Sequence, residues 1–404
     1  CIVAPGCGVD IFEWKRMIED TQQEKETAPI NWPVSVVLIG SFLAAVTVVP
    51  WYGMTHGFNA WSWALFGLFV ILNGIGIGSG YHRLWSHRAY TAHPVLKVFL
   101  AVMGGMALQN SIIVWSARHR VHHRDVDDND RDPYSIGRGF WFAHIGWMLK
   151  DYPSGEVDYS IVRDLEKDPV CAWQHRHYGL LVLATNGALP LLLGWLTGDV
   201  LGMFVLVGVL RLVVSHHVTF FINSLAHIWG SRPYTDENSA RDNHLLALVT
   251  YGEGYHNYHH VFQNDYRCGI RWWHLDINKW FISACALLGL AGNRKRASRF
   301  KVMRARLDME FKEAARKLRQ PGVSARIRAQ FDFEYAQFAE IVREWQALQR
   351  ERMQMQVDRV QQQRQKLADL IETETAALTA RYRELESSLK LQHKRLALLT
   401  AAVV

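Results

Sequence analysis

A bilayer core of about 30 Å requires about 20 consecutive apolar residues in a helix. Four stretches of this 404-residue chain meet that requirement: about 33 to 52 ("PVSVVLIGSFLAAVTVVPWY"), 61 to 80, 178 to 197 and 199 to 222. Trp32, Trp51, Tyr52, Trp61, Trp63 and Trp195 mark their ends, as aromatic belts do at the headgroup level. The stretches come as two closely spaced pairs, which buried helices of a soluble core would have no reason to do. The expected fold is therefore all-α, a polytopic membrane protein with four transmembrane helices. A further apolar run, 95 to 115, contains Gly104, Gly105, Gln109 and Asn110 and reads as a membrane-dipping or interfacial helix. Another, 280 to 292, is too short to cross.

Charge gives the sides. The connectors at 53 to 60 and around Asp199 carry no Lys or Arg, whereas residues 81 to 177 carry twelve. By the positive-inside rule the long middle region is cytoplasmic, and so are both termini. Spans two and four then return to the same side, and a His-rich helical cap is expected there.

Four histidine motifs lie on that side. "YHRLWSHRAY" supplies His82 and His87, "HRVHH" supplies His119, His122 and His123, "NSLAH" supplies His227, and "GEGYHNYHH" supplies His256, His259 and His260. A helix places residues i, i+3 and i+4 on one face, so each HxxHH is expected to aim three nitrogens at a common spot. One such motif in a random chain is more often a solvated loop. Nine of nineteen histidines in four groups make coincidence a poor account.

The donors restrict the metal. Neutral imidazoles with almost no carboxylate partner suit a borderline transition metal such as Fe, Zn or Cu, and do not suit Mg or Ca. The five cysteines, at 1, 7, 171, 268 and 285, form no CxxC pair, which argues against a disulfide framework or a cysteine-ligated cluster. Nine ligands are enough for two ions. Asn223, one helical turn before His227, could act through a metal-bound water. A two-metal, nitrogen-rich site at a membrane face is an arrangement for activating oxygen with iron, and its natural substrate is a lipid.

These motifs, in this order and at these separations, resemble the membrane-bound acyl-CoA desaturases of the stearoyl-CoA, delta-9 type, bacterial branch. The resemblance runs from about residue 30 to 285 and includes "DPYS", "GFWFAHIGWML" and "RDN". It implies a diiron enzyme with two iron ions and O2 as co-substrate, forming a cis double bond in a saturated fatty acyl chain, acyl-CoA first among the carriers. Electrons would come from a small electron-transfer protein and its reductase. The implied iron ligands are His82, His87, His119, His122, His123, His227, His256, His259 and His260, with Asn223 acting through water. Gln109, Asn110, Trp115, Thr219 and Phe220 would line the acyl tunnel or its kink. The implied location is the bacterial inner membrane, among membrane lipids.

The chain also departs from the family pattern. Ala117 and Arg118 stand where the animal enzymes carry an Arg-Asp pair that contacts the coenzyme, and Phe220 stands where they have a tryptophan. These changes leave the metal motifs intact and put the carrier in question, whether CoA, acyl carrier protein or a phospholipid.

Other features read as structural. "NGIGIGSG" (73 to 80) has GxGxGxG spacing inside an apolar span, so close helix packing is expected in place of a dinucleotide loop. "DVDDNDRDPYSI" lacks the Gly and Glu of a calcium loop and reads as a charged cytoplasmic surface. Arg211, within span four, needs a polar partner inside the protein. His216 and His217 have no neighbouring cluster and read as packing or support for the site.

The expected domains are a cytoplasmic N-terminal segment (1–30), a transmembrane desaturase domain with its diiron cap (31–292) and a basic tail (293–404). The tail carries 24 Lys+Arg against 14 Asp+Glu. After a break at Pro321–Gly322, residues Leu378, Tyr382, Leu385, Leu389, Gln392, Leu396 and Leu399 alternate by four and three, a heptad seam. A helical hairpin or coiled coil is expected, with self-association as one use and no nucleic-acid role, since no recognition motif accompanies the charge. Two rival functions remain: a His-box hydroxylase on the same scaffold, and a non-enzymatic zinc-holding receptor or scaffold.

Overall fold

A computed structural model describes residues 28–362 and 368–402. Residues 1–27 of the expected N-terminal segment lie outside the described residues. The chain divides into two compact units: one runs to Ser231 and includes Asn238–Lys295, and the other comprises Arg232–Glu237 and the residues from Arg296 onward.

In the first unit, Trp32–Thr55, Ala60–Ser86, Tyr178–Thr197 and Val200–Ile228 are helices long and apolar enough to cross a membrane. The chain is a polytopic, all-helical membrane protein. Three of these helices begin where a short polar side chain satisfies free backbone amides: Asn31 accepts from Val34 N and Asn59 from Ser62 N. Asp199 accepts from Gly202 N at 2.8 Å and from Tyr52 Oη at 2.6 Å, which fastens together the two connectors on the side away from the histidines.

Spans two and four each run about six residues beyond the apolar stretch seen in the sequence. Those extra turns carry His82 at one and Asn223 with His227 at the other. The end of span two, Gly76–Ser86, is a π-helix. In an α-helix residues five apart point about 140° away from each other at 3.6 residues per turn, whereas i→i+5 bonding stacks them. His87 N donates to His82 O at 3.1 Å, so the wider turn brings the two imidazoles to one side.

The glycines of "NGIGIGSG" make this possible. A Cβ on Gly76 would collide with the backbone of Met103 and Gly104, and one on Gly78 with the Asn278 side chain. Close packing was the expected reading, and the helix that approaches is Pro94–Met106. The run expected as one helix over 95 to 115 is divided into Pro94–Met106 and Ile112–Arg124. The physical reason is local: Leu108 and Asn110 have φ of 52° and 75°, and Ser111 caps the second helix by accepting from Val114 N. Arg211 is fully buried and donates to Met106 O at 2.9 Å, Val207 O at 2.9 Å and Asn186 Oδ1 at 2.6 Å. A short antiparallel pair, Thr91 with Gly292 and Ala92 with Ala291, ties the end of this unit to the region after His87.

The second unit has three helices, Arg299–Leu318, Ala325–Gln362 and Ala368–Ala401. Phe300, Leu307 and Phe311 of the first pack with Phe338 and Trp345 of the second and with Leu385, Leu389 and Leu396 of the third. The heptad seam is therefore shared by two neighbours, since the helix before Pro321 carries its own apolar stripe. Gln392, buried in the seam, donates to Gln337 Oε1 at 2.7 Å.

Gly76→Val would force span two away from Pro94–Met106 and cost about 1–3 kcal/mol or more through overpacking. A thermal melt of the purified protein should show a lowered Tm, whereas Gly40→Val, with nothing within 4 Å of the added carbon, should melt with the parent.

Candidate metal centre

The nine histidines of the four motifs converge. They do so as two sets, His82, His87, His119, His123 and His259 in one and His122, His227, His256 and His260 in the other, each set offering nitrogens within 4.8 Å of one another. The nitrogen that faces inward is Nε2. In the first set His82 meets His259 at 2.9 Å, His87 meets His119 at 2.8 Å and His259 meets His123 at 2.9 Å; in the second His256 meets both His227 and His260 at 3.1 Å.

The expectation that each HxxHH aims three nitrogens at one spot is corrected here. His119 and His123 join the first set while His122 joins the second, and in the other motif His256 and His260 join the second set while His259 joins the first. The reason is angular. At about 100° per residue, i and i+4 are about 40° apart, but i+3 and i+4 are adjacent residues about 100° apart and diverge. Each motif therefore bridges two positions.

Carboxylates, of which the sequence suggested almost none, stand behind the rings. His122 Nδ1 donates to buried Asp132 at 2.9 Å, and His82 Nδ1 lies 3.2 Å from Glu253 Oε2. His227 Nδ1 donates to Ser239 Oγ at 2.6 Å, which donates in turn to Asp127 Oδ1 at 2.5 Å. His119 Nδ1 is 3.2 Å from Tyr134 Oη. Such partners fix the tautomer that leaves Nε2 free for a metal, and metal-bound histidines regularly have them. The stretch read as a charged surface is thus partly interior. Asp132 is completely buried and accepts from the backbone N of Asp127 and Tyr134 as well.

Behind Glu253 lies a buried cation. Arg83 donates to Glu253 Oε1 at 2.7 Å and to Tyr266 O at 2.8 Å, and pairs with Asp276 at 3.0 Å. Burial alone would push the Glu253 carboxyl up, but Arg83 and His82 hold it well below the usual carboxylate range. It is therefore a fixed negative charge behind a ring that must donate.

The electrostatics disfavour charge on six of the rings. Burial, then the neighbouring imidazoles, push His87, His119, His123, His259 and His260 well below the ordinary histidine value, and His256 down to about 3. Neutral imidazole is the metal-binding form. The donor set fits two transition-metal ions, and one buried atom demands a partner: His122 Nε2 has no hydrogen bond among the described residues.

A cavity reaches the site in two lobes. The deep lobe is walled by His82 and His119 of the first set and His122 and His256 of the second, then by Ile77, Gly78, Val218 and Ile222 between spans two and four. The outer lobe extends past Leu108, Asn110 and Phe220 to Asn31, Arg118, Lys150, Asp151 and Glu156. Gln109, Trp115, Thr219 and Asn223 line both lobes. Gln109 Nε2 donates to Thr219 Oγ1 at 2.9 Å, and the Trp115 ring stacks on His119 with centroids 4.8 Å apart. Ala117 is wholly buried in the core and Arg118 alone of that pair lines the outer lobe. His216 Nε2 donates to Ala107 O at 2.9 Å and His217 meets His144 at 3.0 Å, both apart from the nine.

With this geometry in hand, the kinship of the chain is plain: residues 59–288 match the family described as Fatty acid desaturase, and the chain belongs to it. The probable acyl-CoA desaturase of Schizosaccharomyces pombe is 48% identical over 227 residues, 56% of this chain and 47% of that protein. Acyl-CoA desaturase 1 of Saccharomyces cerevisiae is 37% identical over 327 residues, 75% of this chain and 62% of that protein. The sn-2 palmitoyl-lipid 9-desaturase of Nostoc is 37% identical over 279 residues, 66% of this chain and 92% of that protein. The chain thus spans about half to three-fifths of the length of the two yeast relatives.

Removing the carboxylate behind His122 frees its ring, and partners of this kind are typically worth 10–100-fold in metal affinity. Asp132→Ala should therefore lower the metal retained through dialysis, measured by plasma mass spectrometry. The metal-free protein should also be acid-sensitive. The unfolded chain takes up protons on His87, His119, His123, His256, His259 and His260 near pH 6.5 while the folded rings resist, so stability is complete above about 6.5 and falls as pH drops toward about 3. Melting temperature against pH reads this directly.

Proposed function

We propose that the chain is an O2-dependent diiron desaturase that introduces a cis double bond, delta-9 by its family resemblance, into a saturated fatty acyl chain, with acyl-CoA as the carrier. The observation that supports this most is that one apolar passage has rings of both histidine sets in its wall. A long hydrocarbon lying there would run directly past both metal positions.

One ion would be held by His82, His87, His119, His123 and His259, the other by His122, His227, His256 and His260, with Asn223 contributing through a water on the side that has one ring fewer. Bound there, iron supplies the activation of O2 that breaks two unactivated C–H bonds. The balance is simple: the acyl chain gives up two hydrogens, a small redox protein served by its reductase gives two electrons, and O2 with two protons leaves as two waters.

The protein's part is position and dryness. Trp115, stacked on His119, and the hydrogen-bonded Gln109 and Thr219 line the place where the two lobes meet, so a chain threaded through both would pass beside the imidazoles. Asn110 N donates to Tyr178 Oη at 2.9 Å, which holds the turn between helices against that point. Phe220 adds an apolar wall. The apolar lining excludes water that would compete for the metal. Arg118 and Lys150 at the far end of the outer lobe suit an anionic carrier, with Asp151 and Glu156 among them. Acyl-CoA is the carrier named for both yeast relatives, and a lipid is named for that of Nostoc. Both termini and the histidine cap lie on the cytoplasmic side in this reading, and the tail is available for self-association.

Total fatty acids from cells expressing the chain beside cells expressing His119→Ala, analysed by gas chromatography–mass spectrometry with double-bond location, test the proposal. A new monounsaturated acid made only by the intact chain is the expected result. A hydroxy acid in its place would assign the site to hydroxylation, and an unchanged profile from folded, iron-loaded protein with a donor present would overturn the enzymatic reading.

A further inference from the structure

The deep lobe ends on one aromatic ring. Its floor is formed by Asn73 and Gly74 of span two, Ser215 of span four and Tyr251. Asn73 lies nine residues before His82, on the order of 10 Å along the helix. Tyr251 reaches this depth from outside the spans: its Oη donates to Val70 O at 3.1 Å, and its ring covers Gly74, where an added Cβ would stand 2.5 Å from it.

The backbone that delivers the ring is held in an uncommon shape. Tyr251 and Gly252 have φ of 57° and 104°. A left-handed conformation is ordinary for glycine and unfavourable for a bulky residue, and such outliers persist where the surroundings over-determine them, often at functional sites. Here Asn278 Nδ2 donates to Tyr251 O at 3.3 Å, and Gly252 packs so closely on Asp276 that no side chain would fit. Asn278 and Asp276 sit behind the site, since Asn278 also bonds Glu253 at 3.2 Å and Asp276 pairs with Arg83. The floor and the metal centre are built on the same frame, and their separation is fixed.

From this we infer that Tyr251 is the length gauge of the cavity, the residue that sets how many carbons an acyl chain carries beyond the point that faces the histidines. The inference rests on reading the cavity as the acyl site. A chain too long by two methylenes would have to displace the ring, lose its bond to Val70 and leave those methylenes unburied. Replacing the ring by a smaller side chain deepens the lobe toward the Val70 level. Gly74 gives the reciprocal route, because an added methyl there pushes the same ring.

The test is binding, which needs neither iron loading nor a redox partner. The full chain, purified in detergent, is titrated with an even-numbered series of saturated fatty acids, and the longest acid that binds is compared with that for Tyr251→Val, Tyr251→Phe and Gly74→Ala. Tyr251→Val should move the limit up by about two carbons, strengthening the first excluded acid on the order of tenfold, the gain expected for two more buried methylenes. Tyr251→Phe keeps the ring and should keep the limit. Gly74→Ala should lower it, and the double variant with Tyr251→Val should restore it. A limit shared by the parent, Tyr251→Val and Gly74→Ala overturns the gauge alone. A parent that binds no acid of any length overturns the acyl reading of the cavity, and the gauge with it.

Discussion

Imidazoles packed into so small a volume repel one another strongly once they carry charge. In a buried site each added proton would repel every neighbour, and burial already disfavours the first. The depressed values of His256 and the surrounding rings express this. The consequence runs outward through the structure. Rings that turn Nε2 inward need their Nδ1 atoms partnered, so Asp132, Glu253 and the Ser239–Asp127 pair stand behind them. Buried carboxylates in turn need cations or amides, so Arg83 sits under Glu253 and Asp276, and Asp132 collects backbone N–H groups. What looks like a cluster of histidines is the innermost layer of a charge arrangement three residues deep.

The membrane-spanning helices serve that arrangement by rising past the apolar zone. A regular α-helix would have separated His82 from His87. The π-helical end of span two brings them together, and the glycines that let Pro94–Met106 approach make room for the wider turn. The same extension completes the cavity, whose apolar walls come from spans two and four, with histidines among its lining and the Asn73–Ser215 bond joining the two spans below them. Site and passage are therefore one feature seen from two directions.

Much of this is legible in the sequence. The four spans follow from length and hydropathy, and all nine rings follow from motif spacing joined to the side on which each span ends. What spacing conceals is the division into two sets. His122 and His123 are neighbours in the chain and diverge by about 100°, so only a three-dimensional arrangement shows which ring belongs with which. The carboxylates are concealed for a different reason. Asp132 lies among residues that include the partly exposed Asp128 and Arg131, and composition cannot distinguish the one that turns inward. Glu253 sits within a quoted motif, yet its role depends on Arg83, which is 170 residues away. Tyr251 carries no sequence signal at all, since its importance lies in a backbone angle and a contact with Gly74.

The tail shows the same limit from the other side. A heptad seam identifies an apolar stripe without saying how many partners cover it. Leu385, Leu389 and Leu396 could have formed a two-helix seam, but Phe300, Leu307 and Phe311 on the preceding helix need burial too, and one shared core satisfies all of them. Aromatic residues decide the matter, because the Phe300 and Trp345 rings stack with centroids 4.4 Å apart and each removes more apolar surface from water than a leucine would. Gln392 then has a role that an apolar residue could not fill. Its bond to Gln337 is met only when the second and third helices are in one register, and any slip would cost the buried Gln392 amide this partner. A polar group at a core position thus selects an alignment that hydrophobic burial alone would leave degenerate.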